Sequence, residues 1–147
     1  MPLFLRLYPK KREVWDAETI FLALDVCDDA RLKLAINLSF ACSMRIGEIL
    51  GLTWDCVDIS PQSIAVGTAS IRIEKELQRV DKTAMKSLEQ KDVLFIFPQS
   101  SKRNTSMLVL KKPKTESSVR KVFIPATVAH QLESWKREQE RTKEALG

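Results

Sequence analysis

Residues that bind transition metals are scarce in this sequence. It has one histidine, His130, and three cysteines, Cys27, Cys42 and Cys56, none of them at the short paired spacing of a zinc site. A metal site is therefore not expected. The widely separated cysteines are interpreted as buried free thiols that act as small apolar side chains in a reducing compartment.

Long hydrophobic segments are missing as well. The longest nearly apolar stretch, Leu32 to Met44, contains Lys33 and Asn37 and falls short of the roughly 20 residues that span a bilayer. The N-terminus has basic side chains but no apolar core followed by a small-residue cleavage site, so it shows no secretory signal. We expect neither membrane insertion nor secretion, and the cytoplasm is the expected compartment.

Positive charge is concentrated in one part of the chain. Between Pro98 and Lys121 there are seven basic side chains against Glu116 alone, a local excess larger than the net charge of +5 of the whole sequence. Such a segment is typical of a surface that binds phosphates, because each neutralised phosphate releases counterions. A solvated basic loop would show the same composition, so charge alone does not decide between the two.

The pattern of apolar residues predicts one α+β domain, mainly helical with a small antiparallel sheet. Residues 1–14 have no sustained period and are interpreted as a linker, and residues 15–147 as the domain. Asp16 is placed to cap a first helix that reaches about Val26. A second helix opens at Asp28 and Asp29 and is apolar on nearly all sides, so it is expected to be the most buried segment.

Two more helices and several strands follow. A short third helix contains Ile46 and Ile49 and stops at Gly51, and a last helix starts at Pro125. That last helix carries an apolar face with no further chain to pack on, which would be left uncovered. The alternation of apolar residues predicts strands at Ile64–Val66, Ile71–Leu77, Val93–Phe97, Met107–Leu110 and Val119–Ile124.

The segment from Leu38 to Asp55 has a distinctive order of residues. An apolar helix ends in a turn of small residues, then come Arg45, Glu48 and the run Leu52-Thr53-Trp54-Asp55. This order closely resembles the first conserved box of the tyrosine recombinases, the family of phage integrases. The family usually has glycine at the position of Ser43.

The resemblance implies a catalytic role for Arg45. It would be the first catalytic arginine, which holds a non-bridging oxygen of the scissile phosphate. A guanidinium at the start of a short helix suits this task, because it can make two parallel hydrogen bonds to a phosphoryl group. Glu48, one helical turn later, is the expected supporting residue and would hold the guanidinium of Arg45 through a salt bridge.

A second segment, Leu110 to Pro125, resembles a hairpin of the same family whose lysine reaches the scissile phosphate. Lys114 is the implied general acid, which would donate a proton to the 5′-hydroxyl leaving group, and Lys112 is the nearest competitor. Arg45 and Lys114 would then converge on one phosphodiester. Basic residues predicted to contact DNA are Lys102, Arg103, Lys111, Lys112, Arg120 and Lys121.

The resemblance implies a fragment of a site-specific DNA recombinase, or integrase. It would bind double-stranded DNA and position the scissile phosphate for breakage and rejoining, with other recombinase protomers as a second class of partner. The His-x-x-Arg box and the nucleophilic tyrosine are missing: Tyr8 precedes Arg45, and His130 is expected at the surface with Glu133 where the box needs arginine. No cofactor is implied, because transesterification through tyrosine conserves the phosphodiester energy.

Two other functions remain open at this stage. A non-catalytic DNA-binding or regulatory module with the same fold would compete for a site or block a full-length recombinase. A plain interaction domain with a basic surface would bind DNA with little dependence on salt.

Because strand cleavage needs a nucleophile in the same site as the phosphate clamp and the acid, we predict no covalent protein–DNA intermediate from this chain alone. The measurement is denaturing gel electrophoresis after incubation with a suicide DNA substrate. Protein retained on the DNA would contradict the prediction.

Overall fold

The computed structural model describes residues 13–87, 92–99, 101 and 103–147. Within them the chain forms an α+β fold, as expected, with six α-helices and six strands. The helices are α1 (Ala17–Val26), α2 (Ala30–Cys42), α3 (Ile46–Leu50), α4 (Pro61–Ala65), α5 (Lys82–Ser87) and α6 (Ala126–Leu146). The strands are β1 (Val57–Asp58), β2 (Ser70–Ile73), β3 (Glu76–Asp81), β4 (Val93–Ile96), β5 (Ser106–Lys111) and β6 (Arg120–Phe123). Apart from Glu13 and Val14, the segment interpreted as a linker lies outside the described residues.

The first two helices begin where their capping residues predict. The Asp16 carboxylate accepts a hydrogen bond from the backbone N–H of Thr19 at 2.8 Å. The Asp29 carboxylate accepts from the backbone N–H of Arg31 at 2.8 Å at the start of α2. Each cap satisfies an N–H group that has no partner within the helix, and both predicted starts are confirmed.

The burial expected of α2 is wrong. Only one face is buried, through Leu34, Leu38 and Cys42, whereas Leu32 is 55% and Phe40 47% exposed. The helix packs on α3 and α6 along that face and touches α1 on another side. Apolar residues on nearly all sides of α2 therefore did not mean that all of its sides are buried.

The region predicted as a first strand, Ile64 to Val66, is helical instead. The side chain of Ser60 caps α4 by accepting from the N–H of Ser63, and Pro61 occupies the first turn. A serine followed by proline is a helix start, because proline's fixed φ suits the first turn and its missing N–H is not needed there. This helix-start signal, rather than the short apolar run, determined the structure of the segment.

The strands form two antiparallel sheets rather than one. The first sheet has the order β1-β2-β6 and the second β3-β5-β4. The predicted strand Ile71–Leu77 is split, because the chain leaves β2 after Ile73 and enters the second sheet at Glu76. It returns from β5 to pair β6 with β2, where Ile73 lies opposite Arg120. The second sheet is thus an excursion between two neighbouring strands of the first.

Two hydrophobic cores follow from this arrangement. The larger core joins α2, α6 and the first sheet through residues such as Leu38, Ile71 and Leu132. The smaller one lies under the second sheet and consists of Val80, Met85 and Val109. Because α6 buries Val128 and Leu132 against the larger core, the expectation of an uncovered apolar face on this helix is wrong. Among the described residues, no helix combines the length and the apolarity needed to cross a membrane.

Two glycines let α3 lie directly on β3. A Cβ atom at Gly51 would be 2.7 Å from the backbone nitrogen of Leu77, and one at Gly47 would be 3.1 Å from the Leu77 carbonyl oxygen. Gly51 ends α3 as predicted, but its φ is −89°, so the left-handed cap is not the reason for glycine here. The close approach of the strand is the reason.

Ser43 adopts the backbone conformation for which glycine is favoured. It ends α2 with φ 51° and ψ 35°, in the left-handed region, and is the non-glycine residue with positive φ among those described. A side chain in this region costs about 1–2 kcal/mol, because its Cβ crowds the following carbonyl. The turn before Arg45 therefore keeps a glycine-like geometry without glycine.

We predict that Ser43→Gly raises the free energy of unfolding by about 0.5–1 kcal/mol, because relief of the left-handed strain exceeds the added freedom of the unfolded chain. The measurement is urea denaturation followed by circular dichroism. The matched control is Ser39→Gly, an exposed position inside α2, where glycine should destabilise. Destabilisation by both substitutions would contradict the prediction.

Candidate functional site

Arg45 stands at the start of α3 with its side chain in solvent. It is the N-terminal capping residue of that helix, with extended backbone angles φ −78° and ψ 155°. Its side chain is 77% exposed, and its nearest ion-pair contact is loose, 3.9 Å from Nη1 to Glu48 Oε1. The guanidinium is thus open to an anion, while Met44 beside it is buried in the larger core.

Glu48 is buried and accepts three strong hydrogen bonds. Only 3% of its side chain is exposed. The backbone N–H of Arg45 donates to Oε2 at 2.8 Å. Arg120 donates through Nη1 to Oε1 at 2.8 Å and through Nη2 to Oε2 at 2.9 Å. Glu48 therefore holds the backbone of Arg45 and the guanidinium of Arg120, whereas the expected salt bridge to the Arg45 guanidinium is the weakest of its contacts.

These contacts lower the pKa of Glu48 below its ordinary value of 4.5. The main cause is the pair of hydrogen bonds from Arg120, and the N–H of Arg45 adds to it, while burial opposes both. Buried carboxylates are stable as anions only when cations and donors compensate the lost hydration. The clamp around Glu48 provides that compensation at neutral pH.

Arg120 has further contacts inside the protein. Its Nη1 donates to the carbonyl oxygen of Ser118 at 3.2 Å, and its Nη2 to that of Ser43 at 3.2 Å. Arg120 was predicted to contact DNA, yet both terminal nitrogens point at protein acceptors. A DNA contact of this residue stays a prediction.

Lys114 is exposed on the connection that returns from the second sheet to the first. The predicted hairpin from Leu110 to Pro125 is wrong, because β5 and β6 belong to different sheets and a short 3-10 turn, Glu116–Ser118, lies between them. Lys114 and Lys112 line an open cleft of about 590 Å³ together with Lys75. Arg45 is not among the residues that line it.

Lys75 was missed by the sequence argument. It lies at the break between β2 and β3 and lines the same cleft as Lys114. Its ammonium donates to Thr53 Oγ1 and to Asp55 Oδ2, each at 2.7 Å. This contact lowers the pKa of Asp55 to about 2 and raises the pKa of Lys75. The run of charged residues at 74–76, which interrupts an apolar alternation, was the available signal.

The other predicted DNA-contacting residues are dispersed. Lys111 forms an ion pair with Glu76 at 3.3 Å. Lys121 is exposed and lies 5.2 Å from the ring centre of Phe123, and Arg103 is exposed in a turn. Lys102 lies outside the described residues. The three that the structure describes thus lie on different elements: Lys111 on β5, Lys121 on β6, and Arg103 on the turn before β5.

Three potential metal ligands meet near Lys75. Among the described residues, ligand atoms of Asp55, Cys56 and Glu74 lie within 4.8 Å of one another. The two carboxylates already have cations, Lys75 on Asp55 and Arg72 on Glu74, both at 2.7 Å. Burial is the main cause that raises the pKa of the Cys56 thiol, which keeps it protonated. The group is an internal ion-pair network, and its chemistry does not favour a metal.

His130 is exposed, as expected, and makes a 3.0 Å contact with Glu133 on its own helix. Tyr8 lies outside the described residues. Residues 13–147 contain no other tyrosine.

The site presents one exposed cation, Arg45, whose backbone is fixed by a buried side chain. Arg45 is held by Glu48, Glu48 by Arg120, and Arg120 begins β6 directly after the segment that carries Lys114. An exposed guanidinium on a fixed backbone is suited to binding a phosphodiester, whereas the cleft of Lys75, Lys112 and Lys114 does not include Arg45. Fold and site together define a basic α+β domain with exposed cations.

The comparison with family models identifies this class more narrowly. The model of the phage integrase family matches residues 13–144, which is most of the chain. The chain belongs to the phage integrase family, the tyrosine recombinases. No curated protein and no solved structure was found to match it. Family membership supports DNA binding and a place in DNA recombination and integration.

We predict that Glu48→Gln lowers the free energy of unfolding by about 3 kcal/mol at pH 7, because it leaves Arg120 without its buried anion. The folded-state pKa of Glu48 is lowered, so its stabilisation is complete above the unfolded value of 4.5 and is lost as pH falls through the folded pKa. The difference between wild type and variant should therefore shrink below pH 4.5.

The measurement is urea denaturation of both proteins between pH 7 and pH 3. Glu116→Gln is the matched control, because Glu116 is exposed on the 3-10 turn and should change stability little at any pH. A wild-type-to-variant difference that does not vary with pH would contradict the prediction.

Proposed function

We propose that this chain binds double-stranded DNA and holds a phosphodiester for site-specific breakage and rejoining, with Arg45 as the phosphate-binding arginine. The observation that carries the proposal is the exposed guanidinium of Arg45 on a backbone fixed by the buried Glu48. On this proposal residues 15–147 are part of a recombinase catalytic domain. The family match supports the class of function, and the residue assignments are ours.

Arg45 fits the role because little competes for its side chain. Its one ion-pair contact spans 3.9 Å and lies at the protein surface, where such pairs are weak. A phosphate can therefore displace it at small cost and gain two charge-assisted hydrogen bonds. Because Glu48 also holds the Arg45 backbone, only the side-chain torsions of Arg45 would have to be ordered when it binds a phosphate.

Lys114 is the proposed general acid. It lies in a cleft with Lys75 and Lys112, whose three ammonium groups are balanced by Glu74, Asp92 and Glu116, so an individual ammonium group rather than net charge would bind an anion there. Lys75 is already bound to Asp55 and Thr53, which leaves Lys114 and Lys112 as donors for a leaving oxygen. Proton donation to the 5′-hydroxyl would stabilise the leaving group without a cofactor.

The set of DNA-contacting residues is narrower than charge alone indicates. Arg103, Lys112 and Lys121 are exposed and are proposed as backbone contacts. Lys111 is ion-paired to Glu76, so a phosphate contact there would first break that pair. Contacts of this kind set affinity and register but carry no sequence information.

We predict that Arg45→Ala makes the salt dependence of DNA binding shallower by about one unit in the slope of log K against log salt, because one phosphate contact contributes about 0.9. The measurement is fluorescence anisotropy with a short labelled duplex at several salt concentrations. Lys143→Ala, which removes an exposed charge near the C-terminal end of α6, is the matched control and should leave the slope unchanged.

If Arg45→Ala and Lys143→Ala reduce the slope equally, the attraction to DNA is diffuse, and this would contradict the role of Arg45. A wild-type affinity that hardly varies with salt would contradict DNA backbone binding altogether and would favour a plain interaction domain.

A further inference from the structure

The guanidinium of Arg120 is committed to the interior of the protein. Its two terminal nitrogens make four hydrogen bonds, to both oxygens of Glu48 and to the carbonyl oxygens of Ser118 and Ser43. The pair with Glu48 is bidentate, with distances of 2.8 Å and 2.9 Å. Parallel bonds of this type fix the plane of both groups, which a lysine ammonium cannot do.

The turn from Ser43 to Arg45 is held at both of its ends by these hydrogen bonds. Arg120 binds the carbonyl oxygen of Ser43 on one side, and Glu48 binds the backbone N–H of Arg45 on the other. Ser43 is in the left-handed conformation with φ 51°, which a serine keeps only when its surroundings enforce it. Met44, between them, is anchored in the larger core. The direction in which the Arg45 side chain leaves the backbone is thus set by this clamp.

We propose that Arg120 is a positioning residue: through Glu48 and the Ser43 carbonyl it holds Arg45 in the orientation that binds a DNA phosphate, and it does not contact the phosphate itself. This inference rests on the proposed function, in which Arg45 is the phosphate-binding residue. It also reassigns Arg120, whose charge and position in a basic segment had suggested a direct DNA contact.

If Arg120 contacts the phosphate directly, its replacement by lysine should have a different effect than if Arg120 positions Arg45. Arg120→Lys keeps the positive charge, so a direct phosphate contact would largely survive, since lysine also binds phosphates. The bidentate bond to Glu48 would be lost, and with it the fixed turn. Positioning therefore predicts a loss of DNA affinity from a substitution that preserves charge, and the loss should require the presence of Arg45.

The experiment is a double-mutant cycle on binding to a short labelled DNA duplex of arbitrary sequence. We expect Arg120→Lys to weaken binding about three- to tenfold and to add nothing further in an Arg45→Ala background, as for two residues that act as a unit. Arg72→Lys is the matched control. Arg72 also binds a carboxylate, Glu74, from the neighbouring strand β2, and its replacement should leave affinity unchanged.

A second measurement does not depend on the stability of any variant. In the ¹⁵N-labelled wild-type protein, addition of the same duplex should shift the side-chain Nε–Hε resonance of Arg45 and leave that of Arg120 in place. A shift at Arg120 as large as that at Arg45 would mean direct contact and would overturn the inference.

The possible failures are distinguishable. If Arg45→Ala leaves DNA affinity unchanged, the proposed function fails first. If Arg45→Ala weakens binding but Arg120→Lys does not, or if the two effects multiply in the double variant, the role of Arg45 stands and only the positioning role of Arg120 is wrong.

Discussion

The buried carboxylate of Glu48 is the contact on which the arrangement of the site depends. It joins the start of α3 to the first residue of β6, two elements that are 72 positions apart in sequence. A carboxylate with 3% exposure is stable as an anion only because three donors compensate its lost hydration. Through this one carboxylate the backbone at Arg45 is joined to β6, and β6 follows the segment that carries Lys114.

Positive charge has two uses in this molecule, and only one of them concerns a partner. Arg120 and Lys111 neutralise Glu48 and Glu76 within the fold, whereas Arg45 and Lys114 project into solvent. The charge of the segment agrees with the class of partner that the family match supports, although charge alone did not decide it. It could not assign individual residues, because ion pairing depends on acids that are distant in sequence and near in space.

Features that depend on neighbouring residues were predicted well from the sequence. The pairing of residues that are distant in sequence was not. The caps at Asp16 and Asp29 and the placement of Arg45 at the start of α3 were readable, because each depends on residues within one helical turn. The split of Ile71–Leu77 between two sheets was not, since alternation shows that a segment is extended but not which strand it pairs with. For the same reason the contacts of Lys75, whose partner Asp55 is 20 residues away, could not be predicted from the sequence.

The two cores differ in size, and this has a mechanical consequence. The core beneath the second sheet consists of Val80, Met85 and Val109, whereas the larger one extends through α2, α6 and the first sheet. A small cluster opens more readily than a large one, so the second sheet forms the more compliant unit. Arg45 caps α3, which packs on α2 as well as on β3, whereas Lys114 lies on the connection that leaves the second sheet. Local opening of the second sheet would therefore displace Lys114, while the contacts of Glu48 with Arg120 and with the Arg45 backbone would still hold Arg45.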